Sequence, residues 1–391
     1  MGRSHHAVLP GGVPVAPRRR AVIRRGRPGR RVGRVSDLVD VAGLERWLVE
    51  RALLPGDGVL TIEPLGEGHS NLTFSLRRDG AELVLRRPPR GPLLPTAHDV
   101  VREVRVMGLL AVSGFDRLPA VVGLCEDDSV IGAPFYVMQR APGVVIRDSL
   151  PGFLAGDEAR GARRDLGLGL ARTLGDIHRA PWQPFVDAGI GRPGGYLERQ
   201  LRRWVGQREG IQAAVAAAGG EARALPDYDL VRDWLRAHLP AEAEPAVVHG
   251  DYKLDNVIVE PVPAAAGAPA SARITAVVDW EMATVGDPRA DLGYLLSFWP
   301  EPGESVPLAE LVTVTDGFPT RDELVREWEA ATGRSAGDTR WFVALAIWKL
   351  AILLEASYHR WLAGMADDPF FARLEDGVPA LLARAREVCG A

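Results

Sequence analysis

Apolar residues recur along this chain in two rhythms, and the rhythm changes once. Up to residue 138 the apolar runs are short and strand-like: 60–65, 72–77, 82–86, 120–125 and 135–138. Gly66-Glu67-Gly68 separates the first two and Asp79-Gly80 the next pair, as hairpin turns do. Two helices interrupt them. Leu44, Trp47, Leu48 and Ala52 give the apolar face of a short one that ends at Pro55-Gly56. Residues 98–110 form the other, with Val101, Val104 and Leu109 on its apolar face, after a proline-rich connector at 88–95. Beyond Pro142-Gly143 the spacing becomes helical, at 166–178, 196–208, 230–239, 290–298, 321–332, 340–358 and 372–388. Short strand-like runs remain at 247–248, 257–259 and 274–278, the last after an alanine- and proline-rich loop over 261–272. There is no internal repeat. The expected fold class is therefore α+β: a small antiparallel β-sheet lobe followed by a larger, mainly helical lobe.

Composition adds an asymmetry. The first 34 residues carry ten arginines and no acid, so the rest of the chain stands at −14 where the whole stands at −4. Residues 1–35 are expected to be a disordered basic leader, because arginine there mixes with glycine and proline and no apolar period runs through it. Residues 36–141 then form the sheet lobe and 142–391 the helical lobe. The two cysteines, Cys125 and Cys389, have no neighbour at metal spacing, which predicts reduced thiols in a cytoplasmic protein. The most apolar segment, 341–354, is interrupted by Lys349 and is shorter than the ~20 residues a bilayer requires, so no membrane association is expected. Oligomeric state leaves no trace in the sequence.

Chemistry concentrates in His249-Gly250-Asp251-Tyr252-Lys253-Leu254-Asp255-Asn256 and, shortly after, Asp279-Trp280-Glu281. Phosphoryl transfer from ATP requires a carboxylate to orient the acceptor hydroxyl, oxygen ligands for Mg²⁺ on the phosphates, and cations to offset charge. Asp251, on a loop after a strand, suits the first role. Asn256 and Asp279 suit the second, and Glu281 either binds a second metal ion or lines the site. Lys253 lies where it can reach the γ-phosphate.

HGDYKLDN followed by DWE resembles the catalytic loop and metal-binding segment of the protein-kinase-like superfamily. Glycine after the histidine, in place of arginine, is similar to the aminoglycoside and choline kinase branch. Gly66-Glu67-Gly68-His69-Ser70-Asn71-Leu72-Thr73-Phe74, Val84-Leu85-Arg86-Arg87-Pro88-Pro89 and the run from Gly194 to Trp204 resemble the phosphotransferase family related to the N-terminal kinase domains of certain acyl-CoA dehydrogenases. That resemblance covers residues 36–388 and implies a bilobal kinase-like fold with ATP and Mg²⁺. It makes Gly66, Gly68, Ser70 and Asn71 a hairpin over the phosphates. Arg86, with Arg87 as its rival, stands in for the strand lysine, and Glu103 is its helix partner. Gln139 and Ala141 hold adenine through backbone groups. Asp287 and Asp291 cap a helix or brace the catalytic loop.

The acceptor is expected to be a small molecule. The acidic body suits a polycationic aminoglycoside, while Arg199, Arg202, Arg203 and Arg208 on one helix suit a phosphate-bearing hydroxyacyl-CoA-like metabolite. The resemblance favours the second. Trp341, Leu345, Trp348 and Ile352 have the spacing of a core stripe. A nucleotide-binding pseudokinase would have lost Asp251, Asn256 or Asp279, and all three are present. No specific nucleic acid is expected as partner. A nucleic-acid role for the leader requires that deleting residues 1–34 abolish salt-dependent retention on DNA, and retention unchanged by the deletion removes that reading.

Overall fold

Which way each side chain of the third strand points decides how the two lobes meet. The computed structural model describes residues 38–65, 71–89, 99–262, 271–309, 311–365 and 368–390. The leader and Gly66, Gly68 and Ser70 lie outside the described residues. Five antiparallel strands, β1 (Thr61–Pro64), β2 (Leu72–Arg78), β3 (Ala81–Arg87), β4 (Val121–Cys125) and β5 (Phe135–Gln139), stand in the order β1-β2-β3-β5-β4. Asp79 and Gly80, both at positive φ, close the β2–β3 hairpin as a two-residue turn. On one face Phe74, Leu76, Leu85, Phe135 and Val137 bury Leu44, Trp47 and Leu48 of α1 (Val41–Glu50) in a small separate core. On the other face Val84, Tyr136 and Met138 join Val106, Met107 and Leu110 of α2 (Val100–Val112), and that core continues into the helical lobe. The period of two therefore sends Arg86 toward α2 and Arg87 to the opposite side.

α2 begins two residues later than its apolar pattern suggests. The Asp99 side chain accepts from the Arg102 amide at 2.9 Å and caps the helix there. The sheet lobe hands over through residues 140–143 to β6 (Val144–Val145), which pairs with β8 (Val257–Val262); β8 pairs in turn with β9 (Ser271–Val277). Gly143, at φ +114°, is required in this link, because a Cβ there would lie 2.4 Å from the Val259 carbonyl oxygen.

The helical lobe comprises α3 (Arg160–Arg179), α4 (Gln183–Asp187), α5 (Tyr196–Ala217), α6 (Pro226–Ala237), α7 (Arg289–Ser297), α8 (Arg321–Thr332), α9 (Arg340–Leu362) and α10 (Leu374–Cys389). A two-stranded ribbon joins β7 (Ala246–Val248) to β10 (Thr284–Gly286). α9 is the axle of the lobe, packed by α5, α6, α7 and α10. It is long and apolar enough to span a bilayer by composition, but 72% of its apolar window is buried inside the fold. Trp341, Leu345, Trp348 and Ile352 are all core. The Trp341 and Trp348 indoles donate to the carbonyls of Leu235 and Tyr228, which satisfies their only polar atoms. Cys125 and Cys389 are buried free thiols.

The α7–α9 crossing is close because Gly293 faces Phe342; a Cβ at 293 would sit 2.4 Å from the Phe342 Cβ and 2.5 Å from its carbonyl carbon. Gly293→Ala is therefore expected to destabilise the fold by about 1–3 kcal/mol, read as a lower urea midpoint. An unchanged midpoint would mean that the two helices yield without cost.

Candidate active site

β7 runs directly into His249-Gly250-Asp251, and Leu254–Asn256 makes a 3₁₀ turn before β8. The chain returns along β9 to Asp279, turns again at Trp280–Met282, and pairs β10 back onto β7. Thr284 lies opposite Val248, so the two irregular segments stand side by side at one end of the ribbon. Gly250 has φ +85°, and a Cβ there would approach the Met282 carbonyl oxygen to 2.8 Å, so only glycine fits between them.

Buried polar groups fix this loop from behind. Asp291, on the first turn of α7, accepts from the His249 and Gly250 amides at 2.6 and 2.8 Å. Its Oδ2 also meets His178 Nε2 at 3.3 Å, and Trp328 Nε1–H donates to His178 Nδ1 at 2.9 Å. Burial opposes the Asp291 charge, but His178, His249 and the Gly250 amide hold its carboxyl below the usual range. Burial also pushes His178 down, as suits a ring whose Nδ1 accepts from Trp328. His249 Nδ1 accepts the Asp251 amide at 3.2 Å, so its Nε2 carries the proton given to the Val278 carbonyl at 2.9 Å. Asp287 accepts from the Ala243 amide and pairs with Arg289. Both acids thus brace and cap.

At the front of the loop, Asn256 Nδ2 donates to the carbonyl and the carboxylate of Asp251, both at 2.8 Å. This fixes the carboxylate and leaves the amide oxygen of Asn256 as the atom it can offer a cation. Lys253 Nζ lies 2.6 Å from Asp255 and 5.7 Å from the Phe298 ring centroid. Burial opposes its charge, but Asp251 and Asp255 outweigh burial and raise its pKa.

Arg86 stands between Glu103 and Asp279. Its guanidinium lies 2.9 Å from Glu103, at an angle too oblique for a hydrogen bond from Nε, and donates to Asp279 at 2.5 Å. Burial works against the Arg86 charge, but Glu103 and Asp279 hold its proton firmly. Glu103, 1% exposed, also accepts from the Tyr136 hydroxyl at 2.9 Å and from the Asn71 amide. Burial pushes its carboxyl up to about 7 against the pull of Arg86. Arg87 donates instead to the carbonyls of Leu38, Pro88 and Ile131 on the far face, so Arg86 is the arginine that meets Glu103 and Asp279.

The carboxylates of Glu103, Asp279 and Glu281 lie within 4.8 Å of one another. Asp279 is held there at φ +67°, a conformation that costs a non-glycine residue energy. Three hard oxygen donors of this kind fit Mg²⁺. The expected metal set was Asn256, Asp279 and Glu281; the structure adds Glu103 to the two acids and sets Asn256 against Asp251. The N–H of Gln139 is given to the Ala120 carbonyl at 2.8 Å, so of its backbone groups this one is engaged within the sheet lobe. Ala141 lies partly buried just beyond β5.

The expected basic patch on α5 also divides. Arg208 is buried against Glu355, Arg202 pairs with Glu198, and Arg199 turns onto the carbonyls of Gly194 and Arg192. Arg203 stacks on Trp204 and pairs with no carboxylate among the described residues. Two contacts escaped the sequence reading. Arg102 on α2 donates to the Glu281 and Ala283 carbonyls and ties that helix to the acidic turn. Lys349 on α9 donates to the Gly250 carbonyl at 2.5 Å. A signal for Lys349 was available: the chain has 47 basic residues, and the lysines among them are Lys253 and Lys349 alone. Lys253 lies within the 249–256 loop and Lys349 donates to it.

Comparisons with known proteins agree with this geometry. A profile described as "Phosphotransferase enzyme family" matches residues 61–326. Acyl-CoA dehydrogenase family member 10 of Mus musculus is 33% identical over 347 residues, which cover 87% of this chain and 30% of that protein. The chain therefore spans less than a third of that relative's length. A crystal structure from Ralstonia eutropha, described as a candidate aminoglycoside phosphotransferase, is 29% identical with a TM-score of 0.69, over 90% of this chain and 98% of that one. A thermostable APH(4)-Ia mutant, in ternary complex with AMP-PNP and hygromycin B, is 17% identical with a TM-score of 0.53, over 89% and 98%, a likeness of fold alone.

Removing the Arg86 side chain leaves Glu103 and Asp279 facing each other without their cation. Arg86→Ala is expected to cost about 3 kcal/mol in a denaturant titration. A cost under about 0.5 kcal/mol would show that the two acids are solvated or neutral without it.

Proposed function

Since this chain belongs to the phosphotransferase enzyme family, we propose that it transfers the γ-phosphoryl group of ATP to a hydroxyl of a small molecule. One observation carries the reading. Asn256 holds Asp251 and Arg86 holds Asp279, and the two pairs adjoin: the Val278 amide donates to the Asn256 carbonyl at 3.0 Å, and Lys253 feels both Asp251 and Asp279. An orienting carboxylate, oxygen ligands and a cation are the parts that phosphoryl transfer requires.

Asp251 orients the acceptor hydroxyl and takes its proton as the oxygen attacks the γ-phosphorus. The new O–P bond forms in line with the breaking bond to the β-phosphate oxygen, and ADP leaves, with no phosphoenzyme. Asp279 and Glu281, with Asn256 from the loop, are the residues that would hold Mg²⁺, and Glu103 adjoins them. Bound there, the ion neutralises charge on the phosphates. Arg86 and Lys253 offset the remaining negative charge.

For the acceptor, a hydroxyacyl-CoA-like or other hydroxylated metabolite is supported by the relative of 33% identity, which is named as an acyl-CoA dehydrogenase family member. An aminoglycoside is supported by the neighbour of 29% identity and by the acidic body of the chain. The protein is read as cytoplasmic, with no nucleic-acid or membrane partner.

The test is ATP consumption with Mg²⁺ against hydroxyacyl-CoAs, aminoglycosides and small amino alcohols. Asp251→Ala is expected to lower turnover by about 100- to 10,000-fold while ATP binding persists. Asp279→Ala should weaken Mg²⁺-ATP binding as well. Near-normal turnover in Asp251→Ala would remove Asp251 as the base. ATP binding without turnover on any acceptor would favour a nucleotide-binding scaffold.

A further inference from the structure

α9 is a core helix, yet its middle carries a buried ammonium. Lys349 is 8% exposed on a helix whose neighbouring positions are Phe342, Leu345, Ala346, Trp348 and Ile352. Leaving water costs an ammonium several kcal/mol, and an apolar residue would fill that place at no such cost. What Lys349 receives in return is local and specific. Nζ donates to the Gly250 carbonyl at 2.5 Å, and it sits 4.8 Å from the Tyr294 ring centroid and 5.6 Å from that of Trp204. Gly250 already gives its own N–H to Asp291. The residue immediately before Asp251 is therefore gripped from both sides by buried charges of opposite sign, one on α7 and one on α9.

We infer that Lys349 is a positioning residue for phosphoryl transfer: its ammonium, seated on the Gly250 carbonyl, fixes the peptide that aims Asp251 and sets a positive charge against that carboxylate. This rests on Asp251 acting as the orienting base. An error of about 1 Å in such a group costs on the order of 100-fold in rate, so the seat matters more for turnover than for the fold.

The charged groups that act on Lys349 are Asp251 from the loop, Asp291 from α7 and Arg203 from α5; Tyr294 of α7 and Trp204 of α5 present ring faces. Among the described residues, α6 and α10 direct no charged group at it. Burial lowers its pKa to about 8, and the two aspartates pull the other way. The positive charge set against Asp251 is thus lost as pH rises through about 8, while the neutral amine keeps N–H groups to donate to the Gly250 carbonyl. Stability runs in the opposite direction. Between about 8 and the unfolded value of 10.5 the unfolded chain holds more protons at this site than the folded one, so this group's contribution to stability rises with pH. Loss of turnover through unfolding at this site would not show that opposition.

The experiment uses the full chain labelled with [¹³Cε]lysine, which gives two side-chain signals because the chain has two lysines. The signal missing in Lys349→Arg is expected to titrate near pH 8, and to move lower in Asp251→Asn, which removes a facing carboxylate. Titration near 10.5, or no response to Asp251→Asn, would overturn the inference. This arm needs no acceptor, so it stands even if the phosphotransferase reading fails. In kinetics with Mg²⁺-ATP and the acceptor panel, or water as acceptor, wild-type kcat should fall above pH 8. Lys349→Met should lower kcat about 100-fold with KM for ATP changed less than about 3-fold. Lys349→Arg, which keeps its charge, should recover much of kcat and lose the alkaline fall. If Lys349→Met keeps kcat and pH profile, or if Lys349→Arg folds yet retains the fall above pH 8, Lys349 does not position the loop. If wild type turns over nothing, the proposed function fails and the NMR arm decides the seat alone.

Discussion

Asp291 is a buried carboxylate that accepts two backbone amides, and the conformation of the 249–256 loop depends on that arrangement. The amides of His249 and Gly250 point away from solvent, where an unpaired N–H costs roughly 1–3 kcal/mol. Asp291 satisfies both, and His178 and Trp328 tie it back into α3 and α8. The loop's conformation is thus set from the core outward. Alongside these two bonds the Gly250 carbonyl accepts from Lys349, His249 Nδ1 accepts the Asp251 amide, and Asn256 closes on the Asp251 carboxylate. A carboxylate at the surface of such a loop has few rotamers to lose when a substrate arrives, which is the physical content of preorganisation.

The second constraint joins the lobes. Arg86 belongs to the sheet and Asp279 to the helical lobe, 193 residues apart, and they share an ion pair that also involves Glu103. Arg102 adds backbone contacts from the same helix to the acidic turn. The sheet lobe and the helical lobe therefore meet in one electrostatic unit. Among the described residues the carboxylates of Glu103, Asp279 and Glu281 lie within 4.8 Å of one another beside Arg86, hard oxygen donors of the kind a divalent cation takes.

Much of this was legible in the sequence, for identifiable reasons. Alternation in β3 assigned Arg86 and Val84 to one face, the family resemblance supplied Glu103 as the partner of Arg86, and the structure pairs the two. The loop residues were readable because their chemistry requires particular residue types at fixed short spacing. What escaped was set by distance along the chain or by the backbone. No local pattern says that Arg208 turns inward to Glu355, 147 residues away, rather than joining Arg203 outside. The N–H of Gln139 goes to the carbonyl of Ala120, just before β4, and a main-chain partner of this kind leaves no mark on side-chain identity. α9 is apolar almost all round, so its period could not show which face meets the loop, and Lys349 read as an interruption rather than a contact. Helix starts were misplaced where a cap, such as Asp99, decides them instead of the apolar stripe.

The central claim is that a phosphoryl group leaves ATP for a small-molecule hydroxyl without resting on the protein. The most direct measurement follows the label from [γ-³²P]ATP in the presence of Mg²⁺, the full chain and the acceptor panel, with quenched samples resolved into protein, nucleotide and acceptor fractions. The account predicts that label leaves ATP and appears as a phosphate ester in one acceptor class, with one ADP formed per ester and none on the chain. Label that stays in bound ATP, or that collects on the protein, would contradict it.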